Sequence, residues 1–347
     1  MDNRYEQFYS GENRRAMHRA FCRLTEAMRS GCFDCLEEIC TADCQADFST
    51  VGHLSGLTEL KQKLTWPGPE TQVSKAGIWN FVARSSGDKG QQSAYVQYIR
   101  AVDDGENLYP FLFGGEFCNS FVRENGSWKI SHIRFDLCYA EGNNLFVKDH
   151  WYLMDEAKYC GHEPMINAEL DSPWLAIPED CEPQTDEEEI FELMYRYAFS
   201  FDHGDFRFLQ SFVTEDFLIN GSAHRKDYWT MPLESGDFFG HRSVSDFLRD
   251  KYHKEAKMMH ACRMKSLEIH GDTAVAYMPR GEEHRLKNRW LTRENVHSVF
   301  STALHFIYAR KEEGQWKMYK YRIEPCEGQI PVEDDCLEYH EYLEGGA

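Results

Sequence analysis

Apolar residues recur at helical spacing and then switch to alternation, and they do so twice along the chain. Ile190, Leu193, Met194, Tyr197 and Phe201 lie three or four residues apart and predict a helix. Glu187 to Glu189 fall in its first turn, where the helix dipole favours carboxylates, and Gly204 supplies a C-terminal stop. Phe208, Leu209, Phe212 and Val213 predict a second helix, and a short third follows Gly240. From there the period falls to two. Runs at 259–269, 273–279, 296–311 and 315–324, punctuated by Gly271-Asp272 and Gly314, predict strands joined by hairpins. The first half has counterparts at 77–85, 93–101, 108–124 and 127–138. Helices followed by a hairpin-rich sheet give an α+β class.

The two halves align residue by residue. Gly31, Phe33, Leu36, Thr41 and Asp43 match Gly204, Phe206, Leu209, Thr214 and Asp216 at an offset of 173. Gly126, Trp128, Lys129, Arg134 and Cys138 match Gly314, Trp316, Lys317, Arg322 and Cys326 at an offset of 188, so the second half has gained loop residues. Self-similarity of this kind marks a tandem repeat. It divides the chain into a first domain at 10–142, a connecting strap at 143–184, a second domain at 185–326 and an acidic tail at 327–347. Trp151, Tyr152, Tyr159 and Trp174 predict a strap that is ordered and packs on a domain.

A length of 347 residues suits two domains, and 42% hydrophobic with 14% aromatic residues can build packed cores. The net charge of −20 repels phosphate backbones, so no nucleic-acid partner is expected. No run approaches the roughly 20 apolar residues of a membrane span, and the first residues lack the apolar centre of a signal peptide. The expectation is a soluble cytoplasmic protein with no membrane partner and with most of its twelve cysteines as free thiols. Cys32, Cys35, Cys40 and Cys44 cluster as metal ligands do. The repeat, however, sets Cys35, Cys40 and Cys44 on Phe208, Val213 and Phe217, which are core positions. They read as small buried hydrophobes, and no metal or cofactor is expected.

On these residues the chain resembles the SnoaL-like superfamily, whose founding fold is that of nuclear transport factor two. The resemblance implies that each copy is a curved, mostly antiparallel sheet wrapped around helices, a cone with an apolar pocket. The superfamily includes scytalone dehydratase, ketosteroid isomerase, bile-acid dehydratase, polyketide cyclases and many non-catalytic members. The second copy is similar to the dehydratases. Tyr197 and Asp202, in YRYAFSFDHGDF, look like the tyrosine and aspartate pair of bile-acid dehydratase. His260, in KMMHACRMKSLEI, stands where these dehydratases carry a catalytic histidine. His284 follows Tyr277 at the spacing of the second pocket histidine of scytalone dehydratase, and Arg322 looks like the late arginine of bile-acid dehydratase. Phe201 and Ala303 depart from scytalone dehydratase, which has tyrosine and asparagine there, so its substrate is not carried over.

Each residue also has a plainer reading. His260 shares strand parity with Cys262 and Met264 and faces the apolar side, as a core histidine or as an acid–base group. Asp202 lies one position beyond the apolar stripe, near a helix end that disfavours a carboxylate, and so requires a partner. Tyr197 is a core tyrosine or a hydroxyl donor. His284 reaches the pocket if Pro279 to Gly281 break the strand, and is a surface-loop residue otherwise. Arg322 has a structural reading as well, because Arg134 matches it in the first copy. That copy has Leu24 and Arg29 in place of Tyr197 and Asp202, and Trp79 and Asn80 in its first long strand rather than a histidine. It is expected to be a non-catalytic structural or binding half.

The resemblance implies a cofactor-independent lyase (dehydratase) or isomerase acting on a hydrophobic polycyclic, steroid-like or polyketide-like molecule. His260 would move a proton, Asp202 would orient it, Tyr197 would donate to the substrate oxygen and His284 would protonate a leaving hydroxyl. Phe201, Tyr277, Met264 and Arg322 would line the substrate. The alternative is a non-catalytic small-molecule-binding or scaffold protein of the same fold. The copies are expected to pair as an intramolecular pseudo-dimer, as a monomer or a homodimer of such units.

Overall fold

The computed structural model describes residues 9–66, 70–152, 164–221, 237–251, 259–262, 265–281 and 291–331. The first copy runs α1 (Glu12–Ser30), a one-turn α2 (Leu36–Ile39), β1 (Cys40–Phe48), β2 (Gly52–Ser55), α3 (Leu57–Leu64), then β3 (Val73–Ser86), β4 (Lys89–Asp103), β5 (Leu108–Glu124) and β6 (Ser127–Gly142). The short helices α4 (Ala168–Asp171) and α5 (Pro173–Ala176) lie between the copies. The second copy repeats the order with α6 (Asp186–Asp202), α7 (Phe206–Phe212), β7 (Val213–Gly221), β8 (Asp237–Phe239), α8 (His241–Lys251), β9 (Ser266–His270), β10 (Thr273–Gly281), β11 (Ser298–Glu312) and β12 (Gln315–Pro331).

Among the described residues each copy forms one six-stranded sheet, in the orders β2-β1-β6-β5-β4-β3 and β8-β7-β12-β11-β10-β9. Every pairing is antiparallel except β1 with β6 and β7 with β12, so both sheets are mixed in the same way. Register shifts between Trp79 and Val82 and between Ser120 and Phe121 mark bulges, which bend strands and curl the sheet over its helices. Repeated topology in one chain gives two cones and an intramolecular pseudo-dimer.

The alternation did not predict β1, β2, β7 or β8. Cys40, Thr41, Cys44, Ala46 and Phe48 are the buried positions of β1, and a register shift between Cys40 and Gln45 breaks their period of two. The pairing that makes this segment a strand is parallel and reaches about ninety residues ahead, Cys40 to Ile130. Cys40 and Cys44 are buried, as the repeat implied, while Cys32 is exposed.

Local chemistry starts the helix that matters most. The Thr185 side chain accepts from the Glu188 backbone N–H, and the Glu188 carboxylate accepts from Thr185 N–H, a capping box ahead of four acidic residues in the first turn of α6. His203 caps the other end, and Gly204 at φ 67 turns the chain away. Leu193, Met194, Tyr197 and Phe201 then fill the second cone against Met278, Ile307 and Met318. In the first cone Met17, Phe21, Leu24 and Met28 of α1 pack on Phe81 and Phe117. Each such side chain contributes about 1.5–3 kcal/mol by burial, and Phe21→Ala would cost about 3–5 kcal/mol.

The outer faces of the two copies meet. Trp79, Tyr95, Ile99 and Leu112 of the first sheet pack with Ala198, Met259, Ala261, Val296 and Val299 of the second copy in an apolar cluster separate from the cones. Polar contacts close the seam around the strap. Arg14 pairs with Asp180 at 2.7 Å, and Arg84 donates to the carbonyls of Ile177 and Pro178. Glu192 is the centre of a second network, with Arg196 at 2.6 Å, Trp174 Nε1 at 2.5 Å, Gln184 Nε2 at 2.5 Å and Arg84 at 3.5 Å. Trp151 packs on Trp66 and Phe113 of the first copy, and Trp174 on Phe199 and Phe208 of the second. Among the described residues no helix is long and apolar enough to cross a membrane.

Candidate active site

Asp202 is the last residue of α6, where the helix dipole opposes a negative charge, and it is buried. Three donors compensate. His260 Nδ1 lies 2.5 Å from Oδ1, while the His260 backbone N–H and the Tyr95 hydroxyl donate to Oδ2 at 2.8 and 2.7 Å. Burial pushes the Asp202 carboxyl up, but the His260 charge and these hydrogen bonds outweigh it and hold the group below the usual carboxylate range. An ionised carboxylate only accepts, so the proton on this side of the ring sits on Nδ1 and the other nitrogen, Nε2, is left for exchange. Phe201 meets the His260 ring edge-on at 5.1 Å and limits its rotation.

His260 precedes β9 on a short extended segment held to the end of β10 by Gly281 N–H to Ala261 O. Met259 and Ala261 face the first copy and Cys262 faces the cone, which is the alternation expected from the sequence. Asn80 of the first copy straddles this segment. Its Nδ2 donates to His260 O at 2.8 Å and its Oδ1 accepts from Cys262 N–H at 2.9 Å.

A second line of polar groups lies inside the cone. The Tyr197 and Tyr321 rings are 4.3 Å apart and their hydroxyls are hydrogen-bonded. The Tyr321 hydroxyl also contacts His305 Nδ1. His305 is buried 6.2 Å, ring to ring, from His260. Burial, and then the charges of His260 and Arg280, push its pKa well below the ordinary value, so its ring is neutral. Its Nε2 is buried with no hydrogen-bond partner among the described residues. Burial likewise raises the pKa of the Tyr197 hydroxyl, which stays protonated.

The structure thus brings Asp202, His260, Tyr197 and Phe201 together. It does not bring Tyr277 or Arg322 to them. Ala274, Ala276 and Met278 of β10 turn into the cone, whereas Tyr277 stacks at 5.8 Å on Phe306, over which the Arg322 guanidinium lies at 4.4 Å. That row crosses the opposite face of the sheet. His284 and Met264 lie outside the described residues. Tyr95, Asn80 and His305 were missed by the sequence analysis. For His305 a signal existed, since alternation puts it on the buried face of β11 with Ile307 and Ala309. A cavity of about 20 Å³ lined by Arg14, Phe81 and Glu192 has room for about one water, lies at the seam and includes none of these residues. Among the described residues no group of three His, Cys, Asp or Glu is placed to hold a metal ion.

Comparison with known proteins places the chain in a family. The SnoaL-like domain matches residues 10–134 and 183–322, most of the chain. A solved structure from Kribbella flavida is 18% identical, with 38% of this chain and 95% of that one covered and a TM-score of 0.33. A hexachlorocyclohexane dehydrochlorinase is 16% identical, covering 42% and 95%, with a TM-score of 0.32. A scytalone dehydratase-like protein from Novosphingobium aromaticivorans is 14% identical, covering 42% and 94%, with a TM-score of 0.31. No curated protein matches the sequence. With its family matched over both copies and one topology built twice, the chain belongs to the SnoaL-like domain family.

Proposed function

We propose that the second cone is the active site of a cofactor-independent lyase or isomerase that moves a proton on a hydrophobic, carbonyl-bearing molecule. The observation that carries this reading is the buried Asp202–His260 pair, bonded through Nδ1 at 2.5 Å. A carboxylate in that position fixes the ring and stabilises the imidazolium that forms when Nε2 accepts a proton from carbon. The acidified hydrogen is one next to a carbonyl, or one beside a carbon bearing a leaving group. His305 supplies the complementary role. In the tautomer in which Nδ1 accepts from the Tyr321 hydroxyl, the neutral ring offers Nε2–H, which has no hydrogen-bond partner among the described residues, to the substrate oxygen where enolate charge develops. Tyr197 holds Tyr321 in that chain and takes the place in the proposal that the resemblance gave to a direct hydroxyl donor. The aromatic lining of Phe201, Tyr197 and Tyr321 suits a flat polycyclic or polyketide-like substrate over a small polar one.

The test is solvent deuterium exchange. Wild-type protein and His260→Ala are incubated in deuterated water with a panel of polycyclic and polyketide-like ketones and hydroxyketones, and incorporation or water loss is read by mass spectrometry. Turnover should fall by roughly a hundredfold or more in His260→Ala, the usual weight of a positioned base. Equal exchange in the variant, or ketones that bind the wild type without any exchange, would refute the proposal and favour a ligand holder.

A further inference from the structure

The first copy has none of the groups expected of an active site, yet two of its side chains end on the Asp202–His260 pair. Tyr95 projects from β4 on the outer face of the first sheet, is 3% exposed, and donates to Asp202 Oδ2 at 2.7 Å. Asn80 sits in the β3 bulge with φ 51, a left-handed conformation that asparagine tolerates better than most residues. From there its amide serves the His260 segment as the next strand of a sheet would, giving to the carbonyl before Ala261 and taking from the N–H after it.

We propose that Tyr95 and Asn80 are positioning residues of the second copy's active site, so that the first copy completes a centre it does not contain. The proposal rests on the reading of Asp202 and His260 as the catalytic pair. Tyr95 occupies the one carboxylate oxygen that His260 Nδ1 does not use, and shares it with the His260 backbone N–H. Both oxygens are then pinned, and the carboxylate cannot turn out of the plane in which it meets the ring. Asn80 fixes the backbone from which the ring hangs. One partner therefore sets the carboxylate and the other sets the imidazole, and both come from across the apolar seam. The neighbouring contact follows the same direction. Glu116 stands opposite Tyr95 on β5 and binds His203, the residue after Asp202, at 2.8 Å. Burial, and then the Asp202 and Glu116 charges, raise the pKa of Tyr95 far above the ordinary range, so its hydroxyl remains a donor at any working pH.

The experiment uses the full chain carrying Tyr95→Phe, with Ile99→Val as a control that trims the same seam without touching the pair. Two readouts are taken, the proton resonance of His260 Nδ1–H in histidine-labelled protein and the deuterium-exchange activity. A ring N–H held by a short bond to a carboxylate resonates far downfield. Tyr95→Phe should displace or broaden that signal and lower kcat about ten- to a hundredfold with KM little changed, the weight of one charge-assisted hydrogen bond. Ile99→Val should leave both in place. Asn80→Ala, which keeps every ring of the seam, is the second arm and should also move the signal. An unmoved resonance in both Tyr95→Phe and Asn80→Ala, or an equal displacement in Ile99→Val, overturns the proposal. A resonance that responds as expected in a protein with no exchange activity supports the positioning role and instead removes the catalytic reading of the pair.

Discussion

Glu192→Gln isolates what an ionised carboxylate contributes to the seam between the copies. Glutamine keeps the size and one acceptor oxygen but not the charge. In the native fold Glu192 is buried, and although burial pushes its pKa up, the charges of Arg196 and Arg84 and the hydrogen bonds of Gln184 and Arg196 bring it down to about 2 from an ordinary 4.5. That difference corresponds to about 3 kcal/mol at neutral pH. Removing the charge also strands Arg84, whose own pKa burial lowers and which remains a cation at every working pH. Leaving one member of a buried pair alone costs about 3–5 kcal/mol, so a loss of about 3 kcal/mol is expected at pH 7. The sign with pH follows from the lowered value. The contribution is complete above about 4.5 and fades as pH falls toward 2, because there the unfolded chain takes up the proton first. Urea unfolding of wild type and variant at pH 7, 4.5 and 3 should show a gap that is constant down to about 4.5 and narrower at 3. A gap independent of pH would mean that Glu192 acts through packing alone, and no loss at pH 7 would refute the network's role.

Two further perturbations test buried groups in the first copy. Burial lowers the pKa of His18 to about 4, with a smaller effect of Arg19, so this ring is neutral in the fold and the unfolded chain binds its proton first as pH falls from 6.5. His18→Phe, which preserves packing on Tyr9 and Phe81, should make stability flatter between pH 6.5 and 4 by up to about 3 kcal/mol, and an unchanged slope in urea titrations would disprove it. Arg100 is buried, its Nε and Nη1 have no hydrogen-bond partner among the described residues, and its guanidinium lies 4.5 Å over Trp66. Arg100→Met should raise unfolding stability by about 1 kcal/mol or more, since a buried cation with no ion-pair partner among the described residues is replaced by an apolar chain of similar length, and a loss of stability would show that its charge contacts outweigh desolvation.

Much of the fold could be read in the residues because it is built from local periods. The stripe from Ile190 to Phe201 and the hairpin runs after Gly240 became α6 and the second sheet, and the repeat fixed the first copy by analogy. Asp202 was legible because a carboxylate at a helix end requires compensation, and His260 because its parity matched Cys262. What escaped depended on distance in sequence. The strands β1 and β7 exist through parallel pairing with β6 and β12, which no local period reports. Tyr277 was assigned to the pocket from its place in a motif. Ala274 and Ala276 turn inward toward the aromatics of α6, and the large ring turns out onto Phe306. Tyr95 had a signal of another kind. Strands β3 to β5 of the first copy are apolar on both faces, the mark of a sheet covered on both sides, and that second covering is the other copy.

Identical subunits related by a twofold axis must make each contact twice. The sheet registers of this chain show how fusion removes that obligation. Tyr95 pairs with Glu116 in the first sheet, and the equivalent pair in the second is Pro279 with Leu304. Arg29 stands in α1 where Asp202 stands in α6. No reciprocal hydroxyl-to-carboxylate contact can form, so the seam has a donor side and a receiving side. Covalent linkage also makes the encounter of the halves independent of protein concentration, because each half meets its partner at a fixed effective concentration. Dilution therefore cannot dissociate the arrangement, and a substitution that suits one half need not be tolerated by the other. Such a chain is free to shape the two sides of its seam separately.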